Sequence, residues 1–344
     1  MTKKIFALTL SLLLLLSVCG CKENEIIISD ETPSVVEKQK FYNELTGLEI
    51  DEAKKDAKPV AVMINNISTA QGVQTGLNSV DIIYETLVEG GITRMVTVTK
   101  DVTKLPQIGT VRSARYVFLD IALGHNATYV HGGFDPIYFK KHKDELGVKT
   151  LDINSTAAKY GFRQKNGLSS EHTLYTTGTK LEEGRKAFKM DTTATQTKWL
   201  TFGDAAAPIT PATPCTKLNV FFSGSQKTAF TYDAATGRYV KSSNGKERTD
   251  YLTGEKLTVK NIFVLFTTVS AYSDGYHMNI GLQGGTGYYV SNGGYEEIKW
   301  SKGSANNALS ITKADGTELT VNAGNSYICI TGQNDRARTT LTAE

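Results

Sequence analysis

Apolar residues recur along this chain at two spacings. Val60-Ala61-Val62-Met63-Ile64 is a continuous apolar run of strand length, and the β-rich segments Asp81 to Val88 and Ile92 to Thr99 flank Glu89-Gly90-Gly91, the composition of a hairpin. Val111 to Gly124 instead carries apolar residues at Val111, Ala114, Phe118, Ile121 and Ala122, a helical spacing with Gly124 suited to its C-terminal end. Thr128-Tyr129-Val130-His131 predicts a short strand closed by Gly132-Gly133. Asp135 predicts the start of a helix over 136–146, with Pro136 in its first position and Gly147 as its stop. One more helix is expected over 181–190.

Past Phe202 the texture changes. Residues 205–214 hold three of the seven prolines and read as a linker or edge segment. Beyond them, strand candidates at 218–222, 262–269, 288–291, 296–300 and 326–330 alternate with turn signals such as Asn244-Gly245 and Asp274-Gly275. The expected fold class is α+β: a mixed α/β N-terminal domain over 59–204, a linker at 205–214, a mainly antiparallel β domain over 215–335 (sandwich or barrel) and a tail at 336–344.

The N-terminus carries an address. Lys3 and Lys4 precede a mostly apolar run from Ile5 to Val18, which is shorter than the ~20 residues of a membrane-spanning helix and shaped like a secretory signal. Val18-Cys19-Gly20-Cys21 resembles a lipobox, which makes residues 1–20 the signal peptide and Cys21 the lipidated residue. Residues 22–58 carry ten acidic and six basic side chains, and 21–58 reads as an acidic tether. The expected location is the outer face of the bacterial cytoplasmic membrane, held by acyl chains on Cys21.

Composition excludes several function classes. The 344 residues carry 38 basic and 35 acidic side chains, too balanced a charge to imply a nucleic-acid partner. The five histidines show no paired metal-ligand spacing, and there is neither a Gly-rich phosphate loop nor G-x-S-x-G, so no metal and no cofactor is expected. Cys215 and Cys329 read as two separate thiols rather than a bridge.

Candidate chemistry concentrates in 81–175. Arg112 and Arg115, three apart, fall on one face of the expected helix, where two guanidinium forks suit a carboxylate or phosphate. They also suit ion pairs with Asp81, Glu85 or Glu89 of the neighbouring hairpin, the reading favoured over an external ligand, although a cleft could hold both. His131 before the glycine pair and His172 in Glu171-His172-Thr173 read either as hydrogen-bonded structural residues or as acid–base groups oriented by Glu85 or Glu89. Tyr288, Tyr289, Tyr295 and Trp300 fit a core better than a sugar-stacking surface.

The pattern resembles the YerB-like bacterial lipoproteins, a family of unknown function. The resemblance rests on Pro59 to Asn66, Asp81 to Glu85, Gly91-Ile92-Thr93-Arg94, Ile108-Gly109 with Arg112-Ser113-Ala114-Arg115, His131-Gly132-Gly133 and Glu171 to Tyr175, and more weakly on Gly281 to Tyr289 and Trp300-Ser301-Lys302. It implies a two-domain lipoprotein outside the membrane and no established reaction. The function expected is a non-catalytic binding or scaffolding module of the cell envelope, partnered by a wall polymer or membrane protein, with Glu85, Arg94, Arg112, Arg115, His131, Arg163 and His172 as candidate ligand-binding residues. The alternative is an envelope hydrolase or lyase using Glu85 or Glu89 with His131 or His172.

Overall fold

The structure, a computed structural model, describes residues 39–195 and 197–343. The expected signal peptide and Cys21, the expected lipidation site, lie outside the described residues. Five strands of the first half are β1 (Val60–Asn65), β2 (Ile82–Leu87), β3 (Thr93–Thr99), β4 (Thr128–His131) and β5 (Leu151–Asp152). The second half adds β6 (Thr213–Pro214), β7 (Lys217–Phe221), β8 (Lys227–Asp233), β9 (Arg238–Ser243), β10 (Asn261–Thr267), β11 (Gly284–Ser291), β12 (Gly294–Ser301), β13 (Ser310–Lys313), β14 (Ser326–Gly332) and β15 (Thr340–Thr342). The helices are α1 (Tyr116–Gly124), α2 (Tyr138–Leu146) and α3 (Gly178–Ala187). The fold is α+β, with a mixed N-terminal part and a mainly antiparallel C-terminal part.

One eleven-stranded sheet takes strands from both halves, in the order β6-β12-β11-β10-β14-β2-β3-β1-β4-β5, with β13 paired to β12. The halves meet where β14 runs parallel to β2, from Ser326 opposite Ile82 to Ile330 opposite Thr86. Both strands are buried along their length, which is why their sequences read as continuous apolar runs rather than alternating ones. A second, antiparallel sheet (β9-β8-β7-β15, with two short strands on β9) lays its inner face on this junction, with the Phe230 ring 5.1 Å from that of Tyr327. Residues 40–344 form one compact unit, so the segments expected as separate domains share a sheet and a core.

Three expected boundaries move. Residues 40–58, expected within the tether, are anchored: Leu45 is buried, Lys100 Nζ pairs with Glu44 Oε2 at 2.6 Å, and Trp199 Nε1 donates to the Glu44 carbonyl. The proline-rich segment 205–214 is an edge, with β6 paired to β12 and Ile209 held in both directions by the Asn322 amide. The tail at 336–344 contributes β15, which pairs with β7.

The largest local difference is at α1, which begins at Tyr116 rather than near Val111. Residues 111–115 stay extended because their backbone is claimed from outside the segment. The Val111 N–H donates to the Leu174 carbonyl, the Arg112 N–H to that of Met63, and the Ala114 N–H to that of Gly133. The turn between β2 and β3 uses Gly90 and Gly91 at φ of 68° and 69°, left-handed values that glycine adopts without strain. Cys215 and Cys329 are buried free thiols. Tyr289 and Trp300 lie in the core, while Tyr288 and Tyr295 are half-buried.

Candidate functional site

The buried Glu85 carboxylate is held by five protein donors. Its Oε1 accepts from Asn66 Nδ2 (2.8 Å), Thr93 Oγ1 (2.6 Å) and Gln226 Nε2 (3.3 Å). Its Oε2 accepts from Thr228 Oγ1 (2.9 Å) and the Tyr327 hydroxyl (2.6 Å). A carboxylate offers about four lone-pair sites, so five donors leave none for a substrate. Lys241, fully buried behind it, donates to Ser243 Oγ at 2.7 Å and stands 5.5 Å from the Tyr327 ring. Burial pulls the Lys241 ammonium below its usual pKa range, with the Glu85 charge opposing it. Burial, then the Glu85 charge, pushes the Tyr327 hydroxyl and Cys329 thiol well above theirs. Glu85 therefore pins the second sheet to the β2–β14 junction.

The arginines gather on the other side of Asn65-Asn66. Because 111–115 is extended, Arg112 and Arg115 do not share a helix face, and each takes its own carboxylate. Arg115 grips Glu89 with two bonds, Nε to Oε1 at 2.6 Å and Nη2 to Oε2 at 2.9 Å. Despite its burial, this contact and the Arg115 and Arg94 charges hold Glu89 below the usual carboxylate range. Glu89, Arg115 and neighbouring side chains line a cavity of about 10 Å³, room for one water at most, so the pair is closed to a ligand. Arg112 pairs with Glu171 nearer the surface, where the Glu171 side chain is 50% exposed.

Arg94 differs from both. It is 6% exposed, its Nη1 donates to the Ser113 carbonyl at 2.6 Å, and no carboxylate among the described residues lies within ion-pair distance. Burial, then the Arg115 and Arg112 charges, brings it down to about 9, against the pull of Glu89. The Tyr129 hydroxyl, buried close enough to feel the Arg94 and Arg115 charges, has no hydrogen-bond partner; the Arg115 amide approaches it outside bonding geometry. Three guanidinium groups thus share two carboxylates.

The remaining candidates divide. His131 donates Nδ1–H to the Gly133 carbonyl (2.8 Å), and its neutral Nε2 accepts from Thr150 Oγ1 (2.9 Å). Burial lowers its pKa, and both nitrogens are occupied. His172 Nδ1 accepts from Asn65 Nδ2 at 2.8 Å, which leaves the proton on Nε2, 3.6 Å from Glu171 Oε1. Glu171 therefore bridges Arg112 and His172. Exposed Arg163 bonds Asn154 Oδ1, Thr173 Oγ1 and the Ser170 carbonyl, holding the loop that carries His172.

The structure thus brings Arg94, Arg112, Arg115 and His172 into one region and leaves Glu85 and His131 in separate networks. Sequence reasoning missed Tyr129, Glu171 and the Asn65-Asn66 pair as members of these networks. Asn65-Asn66 was a readable signal, since two amides end the apolar run of β1. Among the described residues, no three His, Cys, Asp or Glu side chains gather as a metal site, and no helix is long and apolar enough to cross a membrane.

The chain belongs to the protein family of unknown function DUF3048, matching its N-terminal domain over residues 45–191 and its C-terminal domain over residues 218–328. It is 28% identical over 317 residues, 90% of its own length and 91% of the relative's, to the "Putative lipoprotein YerB" of Bacillus subtilis (strain 168). The crystal structure of YerB from Bacillus subtilis superposes with a TM-score of 0.75 at 24% identity, covering 88% of this chain and 100% of that one. That likeness establishes the fold.

Proposed function

We propose that this protein is a lipid-anchored binding module of the cell envelope that recognises a small anionic group, carboxylate or phosphate, at Arg94. The signal-like residues 1–20, the lipobox ending at Cys21 and the relative's description as a lipoprotein support anchoring at the outer face of the cytoplasmic membrane. The observation that carries the binding reading is Arg94: a buried guanidinium, crowded by Arg112 and Arg115, with no carboxylate of its own. An anion bonded to it relieves this repulsion and gains charge-assisted bonds. The hydrolytic alternative has less support, because Glu85, Glu89 and His131 are each taken up by protein partners.

The test is thermal unfolding of the full chain and its Arg94→Gln variant against rising phosphate, with acetate and chloride at matched ionic strength. A ligand at a hundredfold excess over its Kd stabilises by about 2.7 kcal/mol. The reading expects the wild type to be stabilised by phosphate or acetate beyond chloride, and the variant to lose that gain. Equal responses of the two chains to all three salts contradict it.

A further inference from the structure

The outward face of the second sheet carries a second, independent feature. Leu218, Val220, Phe230 and Tyr239 are buried at alternate positions of β7, β8 and β9, and Phe221 at the end of β7 is buried as well. The outward set forms an open groove of about 1010 Å³. Its floor is short side chains, Ala229, Thr231 and Ser242 among them, and its rim carries Lys217, Lys227 and Arg338. Among the described residues no acidic side chain lines it and neither lysine has a carboxylate within ion-pair distance, while Arg338 has Asp335 Oδ1 at 3.5 Å.

The spacing of these cations is set by the sheet. Lys217 lies opposite Thr231 and Lys227 opposite Phe221, so the two lysines stand at opposite ends of the β7–β8 ladder. Four residues at ~3.3 Å each separate them by about 13 Å. Arg338 joins the Lys227 end, its guanidinium 3.3 Å from the centre of the Phe221 ring. Between the charged ends, Asn219, Ser242 and Thr340 offer hydroxyls and an amide, the Asn219 amide donating to Thr340 Oγ1 at 3.1 Å.

We propose that this groove binds a linear, hydroxyl-rich phosphodiester polymer, with phosphates at the two cationic ends and the neutral hydroxylated stretch along the floor. Compact ammonium charges suit phosphate oxygens. A nucleic acid fits less well, because the single aromatic ring of the lining is already covered by Arg338, leaving no platform on which bases stack. The groove lies on the face of the sheet turned away from Glu85, so this site is separate from the arginine cluster.

The experiment is equilibrium binding of the full chain in detergent to a poly(glycerol phosphate) oligomer, with single-stranded DNA and polyglutamate of equal charge as comparisons. The expected result is salt-sensitive binding of the glycerol phosphate oligomer, tighter than of either comparison. The combined Lys217→Gln, Lys227→Gln, Arg338→Gln variant should bind about tenfold more weakly while unfolding at the wild-type temperature. No binding at low salt, unchanged binding by the triple variant, or equal or tighter binding of DNA or polyglutamate each overturns the proposal.

Discussion

Arg112 and Arg115 are chemically the same and lie three residues apart, yet their surroundings give them different weights. The Arg115–Glu89 pair is largely buried and doubly bonded, so Arg115→Gln strands a carboxylate and should destabilise by about 3–5 kcal/mol. The Arg112–Glu171 pair is half in solvent, and Arg112→Gln should cost no more than about 1 kcal/mol. Denaturant unfolding of the two single variants checks this, and similar losses contradict it. Sequence spacing singled out both arginines but assigned them one helix face. The backbone partners that keep 111–115 extended, Met63 and Leu174, are about 50 and 60 residues away and leave no local period. Glu85 was readable as an anomaly, a lone carboxylate inside Ile82-Ile83-Tyr84-Glu85-Thr86-Leu87. Its partners Gln226, Thr228 and Tyr327 lie more than 140 residues on, and nothing in the sequence joins them to it.

Elements whose pattern is set by burial on both faces, such as β1, β2, β10 and β14, were legible as apolar runs close to their observed limits. Helix α2 was legible from its ends: Asp135 accepts from the Ile137, Tyr138 and Phe139 amides, and Gly147 closes it at φ 64°. Strands β8 and β9 were not, because their outward positions are polar and their inward ones include Thr228, Lys241 and Ser243, which blur the alternation. At the end of α1, His125 ties the helix to β2, its Nε2 2.6 Å from the Tyr84 hydroxyl. A helix C-terminus favours a charged histidine by at most ~2 kcal/mol. Burial, with the nearby Lys302 charge, outweighs this and lowers His125 to about 3. The native protein then binds fewer protons than the unfolded chain, so this group's stabilisation is present above pH 6.5 and is lost as pH falls toward 3. His125→Gln keeps an acceptor for Tyr84, and between pH 6 and 4 it should flatten the fall of stability by up to about 1.4 kcal/mol per pH unit. An unchanged slope in denaturant unfolding contradicts this.

At the scale of the whole molecule, the two family segments are joined by the β14–β2 ladder and by the Glu85 network across it, so neither half has a closed core of its own. This was hidden from the sequence because parallel pairing links Tyr327 to Ile83 across more than 240 residues with no turn signal between them. The molecule carries two separate cationic features: the arginine cluster beside β1 and β3 of the joined sheet, and the lysine-rimmed groove on the outward face of the second sheet. The central functional claim is that a small anion is taken at the first of these, at Arg94. Hydrogen–deuterium exchange of the full chain with and without phosphate tests it most directly. Phosphate should slow exchange in peptides spanning 93–95 and 111–115 of the wild type, and Arg94→Gln should abolish that slowing; exchange there that phosphate leaves unchanged, or slows equally in the variant, rules out anion binding at Arg94.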